Sequence, residues 1–493
     1  MFFQRLIILL LCTMASARLI SQTVFTEVSG TVSDGQYAPL WLSSNRHGVI
    51  SPYANSSYER VGAYDSFSLG KDSAKNTRFT YCADIMLSQN AVSKFFIHQL
   101  YAELKYRKFT FTLGQKERNI EHRNDTLTSG GLSNGINAQP MPGIAVRCDY
   151  FTVPGLRKWL KVRGYLGVYK TTDGKWQKNW VADDPYYHYT SNILLLEKSL
   201  FLKIAPEDSK LFFEPSLQMI TQFGGTSYNV YGRNHYDTSQ PIHHPENLKA
   251  FWNAFCHIGS NDVTDGAHPN SLGNTLGSYN IALTWQDTDW MARAYFERFF
   301  EDQSMLTVQY GIFDHLLGIE VELPKNRYLS GIVLEHISTK DQSGPIYHDL
   351  TENMPESYTG TDDYYNHNLY SGWQHWGMGV GNPLITSPVY NSNHQLRFRN
   401  NRVKAWHLGV QGNPSEQLSW RALATLTQNW GTYVEPLDDI VNTQHYLLEA
   451  AYVPAFMPKL KVTLAASLDH GKILGNSFGA QCTFRYTIRL PRR

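Results

Sequence analysis

The chain has few cysteines, little net charge and no long apolar run after its first residues. Five cysteines are spread over 493 residues, and no two of them form a C-x-x-C pair. This spacing argues against a zinc ribbon or a dithiol redox site. The formal net charge is +1 without a basic patch, so no nucleic-acid partner is expected. Because no apolar run in the mature chain reaches 18 residues, no transmembrane helix is predicted there.

The cysteines fit free thiols better than disulfides. Four of them, Cys82, Cys148, Cys256 and Cys482, lie beyond the N-terminal segment. Cys148 and Cys482 fall on the apolar face of predicted strands, which favours free buried thiols. Spacing alone leaves their pairing open.

Residues 1–17 read as a cleaved signal peptide. Arg5 supplies the cationic start, residues 6–11 the apolar core, and Ala15-Ser16-Ala17 an A-x-A cleavage site. The apolar run is too short to span a bilayer as a helix. A lipoprotein signal at Cys12 is the alternative, but Leu11 precedes that cysteine where a small residue is expected. The sequence therefore predicts export across the inner membrane.

The chain is rich in aromatic residues and in alternating patterns. Aromatic residues make up 13% of it. In residues 102–113, apolar side chains alternate with polar ones on both sides of a turn at Arg107-Lys108, which predicts a β-hairpin with one apolar and one polar face. Similar patterns occur in residues 160–168, 281–296, 317–323 and 478–490. The connections between these segments alternate between short turns and long loops.

This arrangement is typical of an outer-membrane β-barrel. We expect an all-β fold, a transmembrane antiparallel barrel of about 16–18 strands with short periplasmic turns and long extracellular loops. The barrel is predicted over residues 77–493. Residues 18–76 precede the regular hairpins and are expected in the periplasm or in the lumen.

The long loops are the natural place to look for function. Residues 338–395 contain a group of aromatic side chains among amides, which could stack on sugar rings and bind their hydroxyl groups. Packing of the loop on itself is the alternative. Lys116 and Arg118 could pair with acidic sugars, or could form ion pairs inside the lumen. The candidate glycan contacts are Tyr364, Tyr365, Tyr370, Trp373, His375, Trp376, Lys116 and Arg118.

No metal, cofactor or catalytic site is predicted. His235, Asp237, His243, His244 and Glu246 could ligate a metal, but their spacing matches no H-E-x-x-H motif. The carboxylate pairs Glu301-Asp302 and Asp362-Asp363 cannot be assigned to a glycosidase without their separation in space. An outer-membrane hydrolase therefore stays a third alternative.

Several stretches, in order along the mature chain, resemble the Wzi-type capsule-assembly proteins. The first is the segment PLWLSSNRHG at residues 39–48. The later ones are QKER at 115–118, LTSGGL at 127–132, EKSL at 197–200, QFGG at 222–225, YYNHNLY at 364–370, GW at 372–373 and GNPL at 381–384. Met378 departs from the pattern, since a basic residue is expected between Gly377 and Gly379.

The resemblance implies an outer-membrane barrel of about eighteen strands that holds capsular polysaccharide at the cell surface as a lectin, and not as an enzyme. A porin or polysaccharide-export channel is the alternative that the charged inward positions allow. The expected partners are surface polysaccharide, outer-membrane lipid and the barrel-insertion machinery, and the expected state is a monomer.

Overall fold

The protein is a closed β-barrel. The structure, a computed structural model, describes residues 22–69, 77–153, 155, 158–182, 184, 186–206, 208–230, 240–256, 273–301, 313–342, 347–348, 357–358 and 363–490. The predicted signal peptide and its cleavage site lie outside these residues. None of the described helices is long and apolar enough to cross a membrane.

Eighteen strands form the barrel, and each one is antiparallel to its neighbours in the chain. In order, β1 to β18 are Thr23–Ser33, Ser57–Ser68, Arg78–Gln89, Phe95–Tyr106, Phe109–Gln115, Pro142–Thr152, Leu160–Lys170, Leu194–Ile204, Leu211–Phe223, Asn274–Gln286, Met291–Glu301, His315–Glu322, Gly331–Ser338, Val403–Gly412, Leu418–Gly431, Pro436–Tyr452, Leu460–His470 and Ser477–Arg489. The first strand pairs with the last from Thr23 opposite Arg489 to Ser33 opposite Gly479, which closes the sheet. The predicted fold class and strand number are confirmed.

The barrel begins earlier than the sequence indicated. We predicted that residues 18–76 precede the barrel, but β1 and β2 both lie inside this range and belong to the sheet. The pattern of β2 is harder to read because its second half places Tyr64, Asp65 and Ser66 in a row without apolar alternation. Between these strands, residues 34–56 turn into the barrel.

Connection lengths differ between the two ends of the barrel. At one end the connections are short, such as residues 107–108, 287–290 and 413–417. At the other end long connections dominate, including residues 116–141, 171–193, 224–273 and 339–402. We call these the short-turn end and the long-loop end. In barrels of this type the long loops are the extracellular ones.

The short elements outside the barrel sheet lie in these long connections. They are the helices α1 (Leu40–Ser43), α2 (Gly174–Trp180) and α3 (Leu248–Cys256), a 3₁₀ turn at Pro388–Tyr390, and the short strands Tyr189–Ser191, Thr226–Tyr228, Ile242–His243, Tyr347–His348, Ser357–Tyr358, Gln374–His375 and Met378–Gly379.

Successive side chains along each strand face the lumen and the outer surface of the barrel in turn. On β15, Leu423, Thr425 and Thr427 are buried in the lumen, whereas the intervening Leu426 is half-exposed on the outer face. The same alternation exposes large apolar side chains on other strands, among them Val28, Leu87, Ile144, Ile319, Leu334, Leu448, Leu464 and Phe484. An outer apolar face is stable in a bilayer and unfavourable in water.

The cysteines are free, as expected. None of the four in the described residues forms a disulfide. Cys148 and Cys482, which were expected to be buried, are only partly buried, while Cys82 is buried and Cys256 is exposed.

Candidate functional site

Within the described residues, three chain segments fill the lumen. The first follows β1, where α1 buries its four residues. The Leu40 amide donates to Asp469 Oδ2 at 2.8 Å, and Trp41 Nε1 donates to Thr425 Oγ1 at 3.0 Å. Asp469 and Thr425 point inward from β17 and β15, on the wall that this segment covers.

The second segment, residues 116–141, is held by carboxylates of the barrel wall. We call it the lumen segment. Arg123 forms a buried ion pair with Glu297 of β11, and the backbone amide of Ser133 donates to the same carboxylate at 3.0 Å. Ser129 donates its amide to Glu335 of β13 at 2.7 Å. Charge-assisted hydrogen bonds of this kind are stronger than neutral ones, so they hold the lumen segment to the wall at several positions along the barrel axis.

The lumen segment reaches far toward the short-turn end. Asn124 Nδ2 donates to Glu322 Oε1 at 3.2 Å, and the carbonyl of Thr126 accepts from Arg421 at 2.6 Å. Glu322 is the last residue of its strand at that end. The segment therefore crosses most of the barrel before it returns.

Burial changes the ionisation of the lumen segment. Burial lowers the pKa of His122 to about 3, and the positive charge of Arg163 adds to this effect. Burial raises the pKa of Asp125 to about 6, although the hydrogen bond that Asp125 accepts from the Ile120 amide acts in the opposite direction. Burial alone would raise the pKa of Glu117, but the hydrogen bond with His98 and the charges of His47, His98 and Arg60 together outweigh it, and the pKa lies at about 2.

Residues 363–402, the cap segment, close the long-loop end. The Tyr365 amide and Trp373 Nε1 both donate to Glu301, each at 3.0 Å. The Gly135 amide donates to the carbonyl of Val380 at 2.9 Å, which joins the cap to the lumen segment. A cavity of about 50 Å³ remains beside His47, where about two or three water molecules fit and a sugar does not.

Most of the predicted glycan contacts lie in this interior. Tyr364, Tyr365, Tyr370, Trp373 and His375 are at most 3% exposed, and burial lowers the pKa of His375. This placement agrees with the alternative that the aromatic residues pack the loop. Their rings cannot stack on an external sugar in this conformation.

The two predicted cations are already paired. Lys116 forms an ion pair with Glu103 of β4, and Arg118 forms one with Glu197 of β8. The Arg118 guanidinium also lies 4.7 Å from the centre of the Tyr169 ring. These contacts agree with the alternative of lumenal ion pairs.

One predicted aromatic residue, Trp376, is partly exposed, and one side of it packs against the Phe96 ring at 5.3 Å. It is half-buried and lies 6.4 Å from Trp176, measured between ring centres. Trp176 stacks on Trp180 at 5.3 Å, and Trp180 packs against the exposed His394 at 4.6 Å. We call these four side chains, Trp176, Trp180, Trp376 and His394, the aromatic face.

Helix α2 supports the aromatic face. Trp176 and Trp180 are four residues apart, so a helix places them on one side. The buried Asp173 carboxylate accepts from the Trp376 amide at 2.9 Å and from Gln177 Nε2 at 3.0 Å, which ties helix and cap together.

Exposed polar residues surround these rings. They are Lys175, Lys178 and Asn179 on α2 and Ser392 and Asn393 on the cap. Apolar ring surface beside amide, hydroxyl and ammonium donors is suited to a sugar. Trp176 and Trp180 are not among the predicted contacts, although their four-residue spacing in a polar stretch is a signal for one face of a helix.

The described residues give no support for a metal or serine-hydrolase site. They contain no group of three potential metal ligands, and His235 and Asp237 lie outside them. His243 and His244 bond to the hydroxyls of Thr226 and Ser227.

The pattern G-x-S-x-G, which the sequence analysis overlooked, occurs at residues 131–135 and 475–479. Ser133 bonds to Ser278 at 2.6 Å and to Glu297 at 3.1 Å, and Ser477 donates to the Tyr37 carbonyl at 2.8 Å. Both serines are buried, and neither lies on the strand-to-helix turn that this pattern needs for nucleophilic catalysis.

Comparison with known proteins gives structural matches and no sequence match. No protein-family model and no curated protein sequence matches the chain. Among solved structures, Wzi of Escherichia coli matches with a TM-score of 0.57 and 13% identity, covering 98% of this chain and 88% of that one. The fold is that of an outer-membrane β-barrel. That structure is described as a carbohydrate-binding barrel involved in group 1 capsule assembly.

Two further matches are weaker. OccAB2 of Acinetobacter baumannii has a TM-score of 0.49 at 8% identity, with 95% of this chain and 98% of that one covered. OpdQ of Pseudomonas aeruginosa has a TM-score of 0.47 at 8% identity, with 95% and 99% covered.

Proposed function

We propose that the protein is an outer-membrane lectin that binds surface polysaccharide through the aromatic face and takes part in capsule assembly. The observation that carries this proposal is a group of partly exposed aromatic rings, two of them stacked, on a barrel whose lumen is filled. The described function of Wzi as a carbohydrate-binding barrel supports it further. In this proposal residues 1–17 direct export, and the barrel is anchored by its apolar outer face.

The filled lumen argues against a channel. Transport through a barrel needs a continuous aqueous path along its axis. Here three segments cross or cover the lumen, and wall carboxylates that could attract cations are bonded to Arg118, Arg123 and backbone amides. An open state would require many of these bonds to break together.

The surroundings of the aromatic face favour an anionic polymer. Lys175 and Lys178 are exposed on α2 and face water, so their charges stay available for carboxylated or phosphorylated sugars. Met378 is buried, which agrees with the departure from the Wzi-type pattern at that position. The positive charges that attract the polymer would therefore come from Lys175 and Lys178 of α2.

The test is binding of polysaccharide from the source cell to the purified barrel in detergent. We expect the double variant Trp176→Ala with Trp180→Ala to lose saturable binding, because it removes the stacked pair and leaves the lumen contacts intact. The matched control is Trp406→Ala, whose side chain lies on the outer wall and is 56% exposed. Heat-modifiability on gels confirms folding.

Unchanged binding by the folded double variant would overturn the proposal. Trp373 is unsuitable for this test, since its side chain is buried and its removal takes one hydrogen-bond donor from the buried Glu301, which disturbs the fold.

A further inference from the structure

Three pairs of cations lie directly opposite each other on the barrel wall near the short-turn end. Like charges in this cross-strand arrangement repel each other and destabilise a sheet. The pairs are Lys461 of β17 with Arg485 of β18, Arg78 of β3 with Lys105 of β4, and Lys161 of β7 with Lys203 of β8.

All six side chains face the lumen. One member of each pair lies an even number of residues from a lumenal carboxylate on its own strand, so strand alternation turns it inward. Its partner in register then faces the same side of the sheet. The lumenal carboxylates are Asp469 for Lys461, Asp84 for Arg78 and Glu197 for Lys203.

Only one member of each pair has a compensating contact within the described residues. The other members are Lys461, Arg78 and Lys161, which we call the cationic arc. They are exposed, and none of the described carboxylates forms an ion pair with them. The compensating contacts are Arg485 with Glu27 at 2.9 Å, Lys105 with Asp149 at 2.7 Å, and the Lys203 ammonium over the Phe212 ring at 3.4 Å from its centre.

Water reaches the cationic arc from the short-turn end. On β4 and β7 the lumen segment bonds farther from that end, through Lys116 with Glu103 and through Glu121 with Arg163. Lys161 lies nearer the short-turn end than Arg163 on the same strand, and it is exposed. Within the described residues, the lumen is therefore an open vestibule at this end, and the lumen segment forms its floor.

The positive charge is concentrated on one side of the vestibule. On the opposite wall the inward arginines have carboxylate partners. Arg293 of β11 lies 3.2 Å from Glu320 of β12, and Arg421 of β15 lies 2.8 Å from Glu449 of β16. An anion that enters the vestibule is therefore attracted to the side of the cationic arc.

The cationic arc is too long for a small anion. Its members lie on β17, β3 and β7, so four strand spacings separate each one from the next along the closed sheet. Neighbouring strands lie about 4.8 Å apart, which gives about 38 Å along the wall from Lys461 to Lys161. An extended peptide advances about 3.3 Å per residue, so about twelve residues cover this length.

We propose that the vestibule binds an acidic peptide segment of a periplasmic protein, with carboxylates of the segment placed along the cationic arc. Charge complementarity and the length of the arc favour this partner. An anionic glycan also needs ring surface for stacking. On the inward rows of β17, β18 and β1 to β8, within the described residues, only Tyr64 offers an exposed ring, since Arg485 covers Phe25 at 3.8 Å. This proposal does not rest on the proposed function.

The first test measures binding of a fluorescently labelled dodecamer of L-glutamate to the full barrel in nanodiscs, which leave both ends accessible. We expect saturable binding by the wild type and a Kd at least tenfold higher for the triple variant Arg78→Gln, Lys161→Gln and Lys461→Gln. The matched control removes three exposed lysines on the long-loop side and should keep the Kd within twofold. It is the triple variant Lys94→Gln, Lys249→Gln and Lys472→Gln.

Three outcomes of this test overturn the proposal. Absence of saturable binding by the wild type removes the site, and equal weakening in both triple variants removes its location. An oligogalacturonate of matched charge is the competing probe. If this glycan binds more tightly than the peptide and depends on the cationic arc, the assignment to a peptide is wrong.

The second test uses stability as a readout. Without peptide, the arc variant should melt at a higher temperature than the wild type, because it removes the repulsion between opposed cations. The dodecamer should raise the melting temperature of the wild type and leave that of the arc variant unchanged, since a ligand stabilises only a fold that binds it. A lower melting temperature of the arc variant without peptide would assign these cations to folding and overturn the proposal.

Discussion

At the scale of single residues, Glu297 holds the centre of the lumen segment. It accepts bonds from Arg123, from the amides of Leu132 and Ser133 and from the Ser133 hydroxyl. We expect Glu297→Ala to cost about 3–5 kcal/mol of unfolding free energy, because it leaves the Arg123 charge buried without a partner. Denaturant unfolding measures this loss.

The control for this change is Asp287→Asn. Asp287 pairs with Lys210 at 2.7 Å in an exposed turn, so its loss should change the free energy of unfolding little. Equal effects of both substitutions would contradict a special role of Glu297.

Gly377 permits the close approach of the cap to α2. Its φ is +76°, and a Cβ there would lie 2.5 Å from the Trp176 ring. We expect Gly377→Ala to displace this ring and to weaken polysaccharide binding at least fivefold, with the barrel still folded. Gly475→Ala is the control, since its φ of +84° imposes the same backbone strain and a Cβ there meets no neighbour. Equal binding by both variants would contradict the prediction.

At the scale of elements, the lumen segment determines whether the barrel conducts. Replacement of residues 119–138 by a short Gly-Ser linker should open the lumen, because 18-stranded barrels of the outer membrane are wide enough for an aqueous channel. We expect the intact protein to show little conductance in planar bilayers and the replaced variant to show large, steady steps. Replacement of the outer loop 471–476 serves as the control. Large conductance of the intact protein would contradict the filled lumen.

The strands were predictable and the lumen contents were not. In β18, Phe478 and Phe484 alternate with Gln481 and Arg485 because membrane lies on one side and polar lumen on the other. This signal is local in the sequence. Arg123 and Glu297 are 174 residues apart, and nothing in the surroundings of either one indicates its partner.

Most of the predicted glycan contacts lie inside the cap and not on its surface. An aromatic residue that packs inside a cap and one that faces a sugar have the same sequence signature. Trp373 and Trp376 are three residues apart, yet the first is buried and bonds to Glu301 whereas the second is partly exposed. Only the path of the chain separates them.

At the scale of the whole molecule, buried histidines make stability depend on pH. Burial lowers the pKa of His47 to about 4, of His122 to about 3 and of His367 to about 3, all below the ordinary 6.5. Between these values the unfolded chain binds protons that the folded chain excludes, so stability is complete above pH 6.5 and falls as the pH is lowered. Asp125, with its raised pKa, acts in the opposite direction between about 6 and 3.8.

We therefore expect the melting temperature to fall between pH 7 and pH 4. The variant His47→Gln with His122→Gln should show a flatter pH profile, because it removes two histidines that bind a proton in the unfolded chain and not in the folded chain. Differential scanning fluorimetry over this range measures both profiles. An unchanged slope in the double variant would contradict the assignment to these histidines.

The pairing of β1 with β18 has a consequence for biogenesis. The amide of Leu490 donates to the carbonyl of Gln22 at 2.8 Å, so the first and last strands of the barrel meet along one seam. This seam cannot form until β18 is present, and until then both outer strands expose unpaired backbone groups. The lumen segment and α1 bond to strands on several sides of the wall, so all of their contacts exist only when the wall surrounds them. Pairing of β1 with β18 is therefore the last step of barrel closure. Until that step the open edges of the growing sheet need a temporary partner that binds their backbone groups.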